Sequence, residues 1–133
     1  MRECVFCRIV TKKFHARIIH EEKDVLCVLD VHPISRGHCL IMSKKHYEDI
    51  FDIDTKVLGK IVAASRLVAK RMKLKLGAEG INLLHASGKA AQQSVPHFHI
   101  HLVPRYSGDS LDAWPKSNYK ESSLDEVSKI MGF

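Results

Sequence analysis

Three histidines alternate with apolar residues in the segment His97-Phe98-His99-Ile100-His101-Leu102-Val103. Successive side chains on a strand leave on opposite faces. Phe98, Ile100 and Leu102 are therefore expected to enter a core while the three imidazoles line the other face. Near neutral pH an imidazole serves as nucleophile, proton donor or metal ligand, so three on one rigid element form a candidate reaction centre. A surface strand that merely carries histidines is the plainer reading, since the chain has nine. The polar pair Gln93-Ser94 just upstream, suited to hydrogen-bond an anion, favours the reactive one. In that reading neutral His99 attacks phosphorus or an acyl carbon and forms a covalent intermediate. His101 protonates the leaving group, and Gln93, Ser94 and nearby N–H groups hold the developing negative charge.

A second constellation is Cys4-x-x-Cys7. Two thiolates on one tight turn can grip a single ion, and a tetrahedral site then needs two more ligands. His46, after the third expected strand, and His97, opening the last, are available. Spacing alone leaves a pair of buried thiols equally open. Residues on one face of a strand stand ~7 Å apart, so His97 can hold a metal at the strand's end while His99 addresses a substrate. A catalytic metal held by His97, His99 and His101 together is the competing arrangement. Against it, the rings spread along the strand and no neighbouring carboxylate completes the site. Cys27 and Cys39 lie in apolar runs and read as small buried hydrophobes.

The elements that must position these groups follow from punctuation and periodicity. A short helix is expected from Phe6 to Lys13, strands over 17–21 and 25–30, and a Pro/Gly-marked loop over 31–37. A third strand is expected from His38 to Met42. Leu58, Ile61, Val62, Ser65, Val68 and Met72 recur at helical spacing and predict a long helix over about 54–73. Gly80–His85 reads as a fourth strand and His97–Val103 as the fifth. Ser123-Leu124-Asp125-Glu126 fits a capping box opening a short terminal helix with an apolar stripe of Leu124, Val127, Ile130 and Met131. The fold class is α+β: a five-stranded antiparallel sheet, one long helix and short terminal helices.

At 133 residues, with no linker or repeat, the chain reads as a single domain over 1–133. Apolar runs are too short and too interrupted by charge to span a bilayer. Cys4 stands too near the start for a signal peptide's apolar stretch, so a cytoplasmic protein without a disulfide framework is expected. The net charge of +6 favours anionic partners. No basic run is interleaved with enough aromatics to mark a nucleic-acid track, so no specific nucleic acid and no membrane are expected as partners.

These motifs, together with Leu29-Asp30-Val31-His32-Pro33, Gly37-His38, Ser43-Lys44-Lys45-His46 and Gln92-Gln93-Ser94-Val95, resemble the histidine triad superfamily. The likeness is closest to its short nucleotide-binding branch. It covers about residues 4–114 and leaves 115–133 as a variable C-terminal tail. The resemblance implies a homodimer that binds a purine nucleotide and hydrolyses a phosphoramidate, anhydride or ester at the α-phosphate. His99 would become transiently nucleotidylated and His101 would assist the leaving group. Gln93 and Ser94 would touch the phosphate, Asp30 the ribose hydroxyls, and Phe6, Ile9 and Phe14 would wall the base. His38 would support the triad from behind. The metal would be a structural zinc on Cys4, Cys7, His46 and His97. One position departs from the pattern: relatives carry an asparagine at or beside His85, so whatever that amide does falls to His85 or Ser87. That departure keeps alive the alternative of a nucleotide-binding or regulatory module with little catalysis. Trp114 is expected either to cover a site edge or to fill a local core.

Overall fold

The computed structural model describes residues 3–133. Five antiparallel strands, β1 (Ile18–Glu21), β2 (Val25–Leu29), β3 (Cys39–Ser43), β4 (Gly80–Leu84) and β5 (His99–Arg105), form one sheet in the order β1-β2-β3-β5-β4. The first three follow one another as neighbours, as expected. The long helix α2 (Thr55–Leu76) then carries the chain to the far edge, and β5 returns between β3 and β4. The strand with the histidines is thus central and paired on both sides.

Alternation assigns each face of the sheet its cover. Val25, Cys27, Cys39, Ile41, Ile100 and Leu102 pack with Phe98 against α2, which buries Ile61, Ala64, Ser65, Val68 and Met72. Val62, expected on that stripe, is half exposed, and Ala64 takes the place beside the sheet. Asp54 caps α2 by accepting from the N–H groups of Lys56 and Val57, and Gly77 ends it in the left-handed conformation (φ 69°). Cys27 and Cys39 are buried free thiols within this layer.

The opposite face carries Leu26, Val28, Leu40 and Met42, covered by the short helix α1 (Val5–Val10) through Phe6. Cross-strand register aligns Leu26, Met42 and His99 in one row and Val28, Leu40 and His101 in the next. The histidine face is therefore an apolar second layer with two imidazoles set into it. The terminal helix α3 (Leu124–Met131) starts at Ser123, whose Oγ accepts from the Glu126 N–H. Its Leu124, Ile130 and Met131 remain about three-quarters exposed, and of the expected stripe Val127 alone is partly buried. Among the described residues no helix is long and apolar enough to cross a membrane.

Candidate functional site

The three histidines of the motif share a neighbourhood but receive different hydrogen-bond partners. His97 lies just before β5, so its ring is freed from the strand's alternation and is fully buried. Its Nε2 is 2.6 Å from the Ser43 carbonyl, which can only accept, so the proton sits on Nε2 and Nδ1 is bare. Three polar atoms converge on that one lone pair: Cys4 Sγ at 3.3 Å, Cys7 Sγ at 3.6 Å and His46 Nδ1 at 3.2 Å. Cys7 Sγ also stands 3.4 Å from His46 Nδ1. One lone pair cannot serve three donors, whereas one cation can take all four lone pairs. Tetrahedral zinc with ordinary bond lengths sets N···N edges near 3.3 Å and S···N edges near 3.6 Å, on the order of those seen. The four donors lie within 4.8 Å of one another. Burial drives the His97 pKa down to about 4, with the Ser43 bond opposing, so the ring is neutral at physiological pH, the form in which imidazole binds a metal. Burial and the neighbouring Cys4 push the Cys7 thiol up to about 11, a cost that a bound cation would reverse.

His99 is held by its predecessor. Its Nδ1 donates to the His97 carbonyl at 2.7 Å, leaving Nε2 as the bare nitrogen. Phe6 meets the ring edge-on at a centroid distance of 4.9 Å. Burial lowers the His99 pKa, so the ring is neutral and its Nε2 lone pair free near pH 7.

His101 belongs to a relay. The Ile34 N–H donates to His38 Nδ1 (3.2 Å), which requires the proton of neutral His38 to be on Nε2. That Nε2–H points to His101 Nδ1 at 2.9 Å. His101 therefore accepts at Nδ1 and carries its own proton on Nε2, the nitrogen left free to donate a hydrogen bond. Asp30 Oδ2 lies 3.5 Å from His38 Nε2 and 3.9 Å from His101 Nδ1. These three residues are close enough to chelate an ion. The tautomer forbids it, because a metal on His38 Nε2 would need the proton moved to Nδ1, against an N–H. Clusters of similar residue types thus have opposite capacities.

A cavity of about 420 Å³ opens over the second layer. Phe6, Ile9, Val28 and Leu40 wall it, Asp30 and Ser94 stand at its rim, and His99 and His101 lie in its floor. Such a volume suits a nucleoside-sized ligand. Phe14, expected in the base pocket, lies outside it: α1 ends at Val10, and the chain then turns Phe14 outward against the Arg8 guanidinium. Gln93 is also elsewhere employed. Its amide accepts from the Gly88 N–H and donates to the carbonyls of Glu48 and Val95, bracing the loop that presents Ser94. His85 and Ser87 bond to each other beside the end of β4, with His85 Nδ1 at 2.8 Å from the His99 carbonyl. His15, His32, Val28 and Leu40 line the cavity without having been singled out from the sequence. For Val28 and Leu40 the signal was available: period two on β2 and β3 puts them in the row of His101. Trp114 is 82% exposed and fills no core.

The HIT domain family model matches residues 11–108 of the chain. An uncharacterized HIT-like protein of Methanocaldococcus jannaschii is 35% identical over 126 residues, covering 95% of this chain and 96% of the relative. The adenylylsulfatase HINT3 of Arabidopsis thaliana is 33% identical over 122 residues, covering 92% of this chain and 61% of the plant protein. A zinc-bound histidine triad family protein of Mycobacterium smegmatis superposes with a TM-score of 0.79 at 34% identity, covering 96% of this chain and 88% of that one. The fold, the buried histidine strand and these matches define one class, the histidine triad proteins. The chain belongs to the HIT family.

Proposed function

We propose that the protein hydrolyses purine nucleotide derivatives at the α-phosphate through a nucleotidyl-histidine intermediate. The observation that carries the reading is the pair of complementary tautomers on β5: His99 with Nε2 bare and His101 with Nε2 protonated. In the first half-reaction the Nε2 lone pair of His99 forms a bond to the α-phosphorus while the bond to the leaving group breaks. The Nε2–H of His101 donates a hydrogen bond to the departing atom: a sulfate or phosphate oxygen leaves as its anion, and a nitrogen leaving group takes the proton it needs from solvent. The positive charge left on the nucleotidylated ring is shared through Nδ1–H with the His97 carbonyl. In the second half-reaction water bonds phosphorus as the P–N bond breaks; the electron pair returns to Nε2 of His99 and the water's proton is released to solvent. The products are a nucleoside monophosphate and restored His99.

The rest of the site supports binding. The apolar end of the cavity suits the flat base of a purine, with Phe6 and Ile9 as walls. The Asp30 carboxylate suits ribose hydroxyls, and Ser94 a phosphate oxygen. Cys4, Cys7, His46 and His97 would hold a zinc ion, which when bound supplies a structural cross-link between α1 and the entrance to β5. The adenylylsulfatase relative adds weight to a nucleotide anhydride as substrate. Pairing into a homodimer is part of the same reading, since β4 is an edge strand with β5 as its one partner among the described residues.

The test is a panel of adenosine and guanosine phosphoramidates, adenylyl sulfate and dinucleoside polyphosphates. His99→Asn should keep nucleotide affinity within about threefold, because the ring acts mainly in the transition state. Turnover should fall by at least ~10³ as the covalent route is lost. Quenched wild-type protein should carry a nucleotide on His99. Equal turnover by wild type and His99→Asn would overturn the reading. Tight nucleotide binding without turnover by the wild type would establish a binding module instead.

A further inference from the structure

His85 stands one residue beyond the last pair of the β4–β5 ladder, Leu84 with His101. The ring closes that end of the ladder. Its Nδ1 is 2.8 Å from the His99 carbonyl oxygen, an obligate acceptor, so Nδ1 bears the proton. Nε2 of a neutral ring is then bare. It stands 2.5 Å from Ser87 Oγ, which must donate its O–H. Ser87 Oγ in turn accepts from the Ile50 N–H at 2.9 Å. Every polar atom along the path has one consistent role: Ile50 N–H to Ser87, Ser87 O–H to His85 Nε2, His85 Nδ1–H to His99. Phe98 stacks against the ring at a centroid distance of 4.4 Å and an interplanar angle of 29°, fixing its plane although the residue is exposed.

We infer that His85, locked in its Nδ1–H tautomer by Ser87, is the positioning residue for the nucleophile. The inference rests on the reading of His99 as nucleophile. A side-chain amide presents a donor and an acceptor side by side, and a neutral imidazole presents the same pair on its two nitrogens. Nδ1 is as many bonds from Cβ as the amide nitrogen of asparagine, so both can donate to one carbonyl from one backbone position. The amide nitrogen of glutamine stands one bond farther out. His85 holds the backbone carbonyl of His99 while the His97 carbonyl holds its ring. The nucleophile is thereby anchored on its main chain and its side chain, and Nε2 is aimed without a catalytic group being spent on the task. His85 touches no reacting atom in this arrangement.

The tautomer is read directly by ¹⁵N NMR of the full-length protein labelled at histidine. The wild type should show His85 protonated at Nδ1 and bare at Nε2, and Ser87→Ala should mix the two tautomers. In kinetics on the substrate the panel identifies, His85→Ala should lower kcat about tenfold or more with KM within about twofold, as misalignment without lost binding requires. His85→Asn should recover most of that loss and His85→Gln should not. A wild-type ring protonated at Nε2, an alanine variant with unchanged kcat, or equal recovery by asparagine and glutamine would overturn the inference. If His85→Ala fails to fold, the asparagine–glutamine comparison and the tautomer decide. If the wild type turns over nothing in the panel, the hydrolase reading fails, while the NMR result still decides whether Ser87 locks the ring.

Discussion

Replacing Cys4 by serine tests the metal site with little collateral damage. Cys4 is both one of the four donors proposed for zinc and the N-cap of α1, where its Sγ accepts from the Cys7 N–H. Serine is among the preferred N-caps, so the helix start is retained while one of four metal donors is lost. What the metal contributes follows from linkage. Free zinc at a thousand times its dissociation constant stabilises a native site by about 4 kcal/mol. For a domain of this size each kcal/mol moves Tm by roughly 3–4 °C, so chelation should lower the wild-type Tm by roughly 12–16 °C. The packing of Phe6, with Cys7, Ile9 and Val10 beside it, is what then holds α1, and Phe6 is also the edge against which His99 rests. Elemental analysis should give about one zinc per chain, and thermal unfolding with and without chelator should show the shift. In Cys4→Ser the metal content and the chelator response should both largely vanish. Cys27→Ala is the control: it removes a buried thiol from the α2 layer, costs packing, and leaves the chelator response intact. A wild-type Tm indifferent to chelator, or stoichiometric zinc retained by Cys4→Ser, would refute the assignment.

Four further outcomes follow from the same geometry. Burial holds His38 and His101 below the ordinary imidazole pKa, against a smaller opposing pull from Asp30. The relay should stay neutral down to mildly acid pH, so kcat/KM should be level through neutrality and fall only below pH about 6.5. An acid limb at pH 7 or above would contradict it. Stability should move in the same direction: the unfolded chain takes up these protons first, so their contribution is full above about pH 6.5 and is lost as pH falls toward the folded values. His101→Ala should slow substrates with poor leaving groups more than those with good ones, measured as a steeper dependence of rate on leaving-group pKa. Gly37 precedes His38 with φ at 95°, and an added Cβ would meet the Leu76 side chain and approach Pro104. Gly37→Ala should cost about 1–3 kcal/mol in urea unfolding, and an unchanged midpoint would show that the turn relaxes freely.

Most elements were legible because hydrophobic period and turn punctuation agree along this chain. Asp54, Gly77 and Ser123 act as helix boundaries where their residue types say they should. The sheet order was not legible, because the place of β5 between β3 and β4 depends on long-range pairing that no local pattern encodes. The site was half legible. Period two assigned His99 and His101 to one face, and the Cys-x-x-Cys spacing marked the chelate. Phe14 was misplaced because the end of α1 turns it outward, a matter of a few residues in a helix boundary. Gln93 has the right chemistry for a phosphate, but its amide is saturated by Gly88, Glu48 and Val95. A sequence shows which donors a residue owns and not which acceptors will reach it first.

The three motif histidines show how far that distinction reaches. Identical side chains at alternate positions acquire different chemistry from the second nitrogen's partner. The Ser43 carbonyl bares Nδ1 of His97 and turns it toward two thiols. The His97 carbonyl bares Nε2 of His99 and turns it toward the cavity. The His38 Nε2–H occupies Nδ1 of His101 and so leaves that ring's own proton on the outward Nε2. Two of these partners are backbone carbonyls, insensitive to side-chain identity, so they act wherever the strand and its neighbours keep register. The third is a side chain whose tautomer is itself set by the Ile34 N–H. His97 links the Cys4–Cys7–His46 cluster to His99 most directly, because its ring faces the thiols while its carbonyl holds His99. A displacement of that residue would disturb the thiol cluster and His99 together. The buried position of His97, fully enclosed between α1 and the end of β3, is what keeps the two in a fixed relation.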